Sequence, residues 1–147
     1  MFKRNENMKL APEQINEIAQ YLDAGEVVYI NRNTLEFKDL PDWDLIMNEE
    51  IWQKEFEKIE KEWSDYVIIK KMSPRQAYKI MEDFTEEIDD YQLKNEVLLT
   101  LNYKKPFANF KALVESSNYR QKWFDFKQKR YEDYVRKQLD LEDIEYE

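Results

Sequence analysis

Between Tyr119 and Leu139 the chain carries aromatic residues at two helical registers at once. At 100° per residue, Tyr119, Trp123, Phe126, Arg130 and Tyr134 fall on one stripe, and Phe124, Tyr131 and Val135 form a second beside it. A surface helix usually buries a single stripe. Two stripes therefore predict a long C-terminal helix wedged between two layers, with other elements packed against it. Trp123 and Phe126, on the densest stripe, are expected to be buried. Arg130 interrupts that stripe, and a guanidinium among rings needs a carboxylate, so it is expected to pair with one from Glu82 to Glu87. Arg120 and Lys127 also fall on or beside the aromatic faces, where a cation can lie over a ring. Lys122, Lys129 and Arg136 repeat every seven residues on the opposite, solvated side.

Four Trp, ten Tyr and eight Phe give a 147-residue chain a core in large pieces, although 37% of its residues are charged. The reading is one folded domain over 1–147, with 1–9 as a flexible arm and 140–147 as an acidic tail. Chemistry is bounded more sharply by what is missing. With no Cys there are no disulfides, thiolate metal sites or cysteine nucleophiles, and with no His there are no Ser-His-Asp triads or histidine bases. A single Gly, Gly25, cannot write a phosphate loop or a dinucleotide fingerprint. No apolar run approaches the roughly 20 residues that span a bilayer, and Met1 to Leu10 is too polar for a secretory signal. A soluble cytoplasmic protein with no cofactor and no membrane partner is expected.

The net charge of −9 is unevenly spread. Residues 1–103 hold 13 basic and 23 acidic groups, 104–138 hold 10 and 4, and 139–147 hold none and 5. An internal attraction between the acidic first part and the basic last part accounts for this, and a polyanionic partner is the alternative.

Taken in order, Pro12 opens a helix whose buried stripe is Ile15, Ile18, Ala19 and Leu22, and Gly25 stops it. Glu26 to Ile30, a turn at Asn31 to Thr34, and Leu35 to Phe37 read as a β-hairpin, with Asn33 suited to the left-handed conformation. Asp39 to Glu50 lacks a steady period and reads as loop. Its Asp42 and Asp44 lack the Gly and bidentate Glu of a calcium loop, so no metal is expected. Ile51, Trp52, Phe56, Ile59 and Trp63 restore a helical period. Tyr66 to Ile69 supplies a third strand, antiparallel to the hairpin.

Ser73-Pro74-Arg75-Gln76 is a capping-box start to a helix running to about Ile88, with Ala77, Met81, Phe84 and Ile88 inward and Glu82, Asp83, Glu86 and Glu87 outward. Asp89 or Asp90 caps the next helix, from Tyr91 to Asn102, whose Leu93, Val97, Leu98 and Leu101 are expected inside. Pro106 opens a shorter helix bearing Phe107, Phe110, Leu113 and Val114, broken at Ser116-Ser117-Asn118. The fold class is α+β: a small three-stranded antiparallel sheet packed with about five or six helices, the last one long.

Tyr29 to Thr34 (Y-I-N-x-x-T), Ser73 with Met81 to Phe84 (M-E-D-F), Pro106 to Lys111 (P-F-A-N-F-K) and Tyr119 to Tyr131 (Y-R-x-x-W-F-x-F-K-x-x-R-Y) together resemble a bacterial group, uncharacterised protein family 0158. The resemblance covers about Leu10 to Leu139, and P-F-A-N-F-K and W-F-x-F are its specific parts. It implies no activity and no catalytic residues. Many members carry Gly-Arg-Gly-Ala where this chain has Tyr103-Lys104-Lys105-Pro106. That departure replaces a glycine turn with a Pro-started helix and removes glycine amides as an anion site.

The function expected is a non-enzymatic binding module that recognises a protein partner through the aromatic and basic C-terminal face. Lys105, Lys111, Arg120 and Lys127 are its candidate residues, since they lie close in sequence to Phe107, Phe110 and Trp123 and would border one groove. The alternative is nucleic-acid binding through the basic 104–138 segment, with Lys104, Lys105, Lys111, Arg120, Lys127 and Arg130 on phosphates and aromatics stacking on bases. Carboxylate chemistry is the main route left to catalysis, and no two carboxylates are fixed at a defined separation.

Overall fold

The ends of the first helix show how closely local chemistry decides this structure, a computed structural model that describes residues 8–41 and 50–147. Helix α1, Pro12–Asp23, starts on its proline and buries Ile15, Ile18, Ala19 and Leu22, as their spacing requires. It stops where Gly25 turns left-handed at φ 89°. There the Gly25 N–H donates to the Leu22 carbonyl and the Glu26 N–H to that of Tyr21, closing a Schellman motif.

Strand β1, Val27–Asn31, follows and is central in the sheet, flanked by β2, Phe37–Leu40, and β3, Tyr66–Ile69, both antiparallel to it. Burial on both faces explains the unbroken run Val-Val-Tyr-Ile. Val27 and Tyr29 join Leu40, Phe56 and Ile59 in one cluster, so α2, Glu50–Lys61, covers that face. Val28 and Ile30 project to the other face and are fully buried, and α1 packs against β1.

The hairpin differs from expectation. Its second strand begins at Phe37, and the left-handed residue is Leu35 at φ 60° rather than Asn33. Asn31 explains the shift: its Oδ1 accepts from the N–H groups of Asn33 and Thr34, at 2.8 and 3.2 Å, which winds the turn one step further. Left-handed geometry costs a branched residue roughly 1–2 kcal/mol. Burying the Leu35 side chain, worth roughly 1.5–3 kcal/mol, offsets it.

Helix α3, Pro74–Thr85, has the expected box: Ser73 Oγ accepts from the Gln76 N–H at 3.2 Å, and Gln76 Oε1 accepts from the Ser73 N–H at 2.9 Å. It ends three residues before Ile88. Glu82, Asp83, Glu86 and Glu87 crowd its negative end, and tight bonds such as Glu87 N–H to the Phe84 carbonyl close it. Asp90 caps α4, Tyr91–Leu101, through the Leu93 N–H. Only Val97 and Leu101 of α4 are buried; Leu98, expected inside, is exposed. Helix α5, Pro106–Glu115, packs on α4 and buries Phe110 and Val114. The long helix α6, Arg120–Leu141, ends the helical part of the chain. Six α-helices and one three-stranded antiparallel sheet thus make up the described residues.

The chain divides into two compact units: Met1–Lys71 with Tyr131–Glu147, and Met72–Arg130. The boundary falls inside α6. The acidic tail belongs to the first unit and is docked there. Arg32 donates to the Glu142 carbonyl at 2.9 Å and to its carboxylate at 2.6 Å, Ile144 is buried, and Leu10 forms a parallel bridge with Tyr146. Met1 to Asn7, most of the expected arm, and Asp42 and Asp44 lie outside the described residues, as do the side chains of Ile51, Trp52 and Trp63.

Candidate functional site

Four rings make the centre of the second unit. Phe84 from α3 lies 5.3 Å from both Trp123 and Phe126 of α6, centroid to centroid, and Phe110 of α5 meets Trp123 at 4.8 Å. Edge-on and tilted contacts of this kind add roughly 0.5–1.5 kcal/mol each beyond the area they bury. Phe84, Phe110 and Trp123 are therefore core. Phe126, expected to be buried, is half-buried because Arg130 lies over its outer side, 5.7 Å from the ring centroid. Burial of Trp123 leaves its Nε1–H without a hydrogen-bond partner.

Arg130 pairs as its place on the stripe predicts, 2.7 Å from Asp83, which Lys79 also approaches at 3.1 Å. The guanidinium first, and then Lys79, hold the Asp83 carboxyl below its usual range against the opposing effect of burial. This cation is committed to the fold. Tyr119 serves the fold too, since its hydroxyl accepts from the N–H groups of Asp89 and Asp90 at 3.1 Å each.

The four candidate binding residues separate into two pairs. Arg120 lies over the Phe124 ring at 5.2 Å and Lys127 over the same ring at 5.4 Å, with Lys127 also 5.5 Å from the Trp123 centroid. The structure thus brings these two together on one half-buried aromatic. Lys105, at the N-cap of α5, and Lys111, within it, are exposed. Phe110 and Trp123, the rings nearest these lysines in sequence, are both buried. Phe107 is the exposed member of the three aromatics.

A family model matches residues 6–147, and its description is Uncharacterised protein family (UPF0158). The chain belongs to that family. No curated protein and no solved structure matches it. The UPF0158 chain has a distinctive turn where the P-F-A-N-F-K segment begins. Lys105 sits there at φ 56°, ψ 54°, the left-handed conformation that a glycine adopts without strain, and Pro106 follows as the first helical residue.

Sequence reasoning missed the exposed apolar residues at this turn. Leu98, Leu99, Tyr103 and Phe107 are all solvent-exposed, and a signal for them exists: from Val97 to Val114 the chain has no Asp or Glu, its longest run without one. It also missed a carboxyl pair in the first unit. A hydrogen bond to Asp39, then burial, then the Asp39 charge push the Glu26 carboxyl up to about 7, while its Oε2 is buried with no partner. Among the described residues no three carboxylates converge as a cation site, and no helix is long and apolar enough to cross a membrane.

Proposed function

We propose that this protein is a cytoplasmic, non-enzymatic binding module that recognises a protein partner through the basic and aromatic surface of residues 104–130. The observation that carries the reading is the placement of Arg120 and Lys127 over one accessible ring, Phe124. Cation–aromatic groups of this kind supply affinity without a precisely placed reactive atom, and Arg and aromatic side chains are the commonest energetic anchors at protein interfaces. The absence of His and Cys from the sequence fits a binding role, and a chain without Cys has no use for an oxidising compartment.

A protein partner is favoured over nucleic acid for two reasons. The net charge of −9 opposes non-specific attraction to phosphates, and Arg130, one of the six cations such a surface would use, is occupied by Asp83. Replacing Lys105, Lys111, Arg120 and Lys127 with Ala tests the reading by co-purification from native cytoplasm after nuclease treatment, with folding confirmed by circular dichroism. Loss of specific protein partners is expected. An unchanged partner set removes this face from consideration, and a partner set lost on nuclease treatment transfers the reading to nucleic acid.

A further inference from the structure

Helix α4 leaves two leucines exposed towards its C-terminal end, after the polar Gln92, Asn95 and Glu96. Val97 and Leu101, one turn apart, face the core; Leu99 lies about 160–200° around the helix from both and is 60% exposed, with Leu98 between at 40%. The exposed series continues into the turn at Tyr103, 70% exposed, and into the first turn of α5 at Phe107, 37% exposed. Four of the six large apolar residues that are exposed among the described residues fall within these ten positions.

The charge at the turn of this corner is basic. Lys104 and Lys105 occupy the turn and Lys111 stands further along α5, all exposed, in the stretch from Val97 to Val114 that holds no carboxylate. The whole chain holds 32 carboxylates in 147 residues. Glu96, one turn before Leu99, is an exposed carboxylate on the α4 side, but the turn between the helices carries only cations, and these complement an acidic occupant.

We infer that the α4–α5 corner, formed by Leu98, Leu99, Tyr103 and Phe107 with Lys104 and Lys105 at its rim, is a docking site for an acidic amphipathic segment of another protein. Apolar anchors of the partner cover the two leucines and the two rings, and its flanking carboxylates meet the two lysines. The inference rests on the protein-binding reading above and names the chemistry of the partner. Leucines contribute nothing to base stacking, which separates the corner from a single-stranded nucleic-acid platform. Three lysines on a chain of net charge −9 fall short of the four to eight clustered cations of an anionic-membrane site. The left-handed Lys105 fits this picture, since a strained non-glycine residue at a turn is held there by its surroundings and marks sites with a task.

A labelled helical peptide with leucines along one face and glutamates flanking them tests the site by fluorescence anisotropy on the full chain. Binding that weakens as salt rises is expected, together with a loss of about tenfold in both Leu99→Asp and the Lys104→Glu, Lys105→Glu double variant. The same peptide with lysines in place of glutamates is expected not to bind. Leu99 and both lysines are exposed, so these variants keep the fold, and circular dichroism verifies it. The inference is overturned by absence of binding, by equal binding of the lysine peptide, or by Leu99→Asp leaving affinity unchanged. Preferential binding of phosphatidylserine vesicles or single-stranded oligonucleotide at the corner also overturns it. Arg120→Ala with Lys127→Ala keeps peptide binding if the corner acts alone. A co-purified partner lost only in that pair retains the broader reading while the corner falls.

Discussion

The two units bury their cores with different materials. All three strands lie in the first unit, whose buried residues are chiefly Ile, Leu and Val, while the second is helical and centred on Phe84, Phe110 and Trp123. Charge divides the same way. The first unit holds 12 basic and 23 acidic residues, the second 11 and 9. In the first unit the sheet ladder orders the backbone and small branched side chains fill the gaps. The second has no ladder, so a few large rings and the cations laid over them do the ordering. Cations there already border aromatic surface, as Arg120 and Lys127 do at Phe124.

The largest expected effect breaks the ring cluster. Trp123→Ala should cost about 3–5 kcal/mol in urea unfolding, since it removes the ring that meets both Phe84 and Phe110. A loss under about 1 kcal/mol would contradict a ring-centred second unit.

A smaller effect belongs to the first unit and to pH. Glu26 has a folded value raised above its unfolded one, so the folded state holds its proton longer; the stability it contributes is present at low pH and lost as pH rises from about 4.5 through about 7. Asp83 in the second unit runs the other way. Its lowered value contributes stability that is lost only as pH falls below the unfolded value of 3.8, so the two windows do not overlap. Glu26→Gln should flatten the fall between pH 5 and 7 by about 1 kcal/mol, after allowance for solvent screening, in denaturant titrations across pH. A profile identical to the parent would mean that Asp39 and burial do not raise the Glu26 carboxyl.

The smallest effect compares the two units at one backbone conformation. Gly25 and Lys105 are both left-handed, one in each unit. Lys105→Gly should stabilise by about 0.5–1 kcal/mol, and Gly25→Ala should destabilise by about 1 kcal/mol through strain alone, because the added Cβ meets nothing within 4 Å. Thermal melts of the two variants moving in the same direction would refute this.

Signals carried by adjacent residues were legible in the sequence. The Ser73–Gln76 box, the helix starts at Pro12, Pro74 and Pro106, the strand Tyr66–Ile69 and the pairing of Arg130 all follow from chemistry within a turn or from periodicity. Leu35 was not legible, because its turn depends on a side chain finding the core from an unfavourable backbone. Nor was the exposure of Leu98: periodicity says that a face is apolar but not whether anything covers it. The candidate site was half legible for the same reason. Arg120 and Lys127 meet at Phe124 because all three share one helix, whereas Lys105 and Lys111 belong to another segment, and spacing within a helix says nothing of where a second segment lies.

The division of the chain also sets an order of events at the ribosome. Residues 72–130 lie between the two parts of the first unit, whose buried Val135, Leu139 and Ile144 come from the final stretch. The inserted unit has all its residues once Arg130 has been synthesised. The host, begun earlier, lacks these three core residues and the Arg32 grip on Glu142 until residues 135–144 have been made. Domains usually fold as they emerge, N-terminal first. Here the first part of the host waits for its second part, and its strands stay incompletely buried until residues 131–147 have been added.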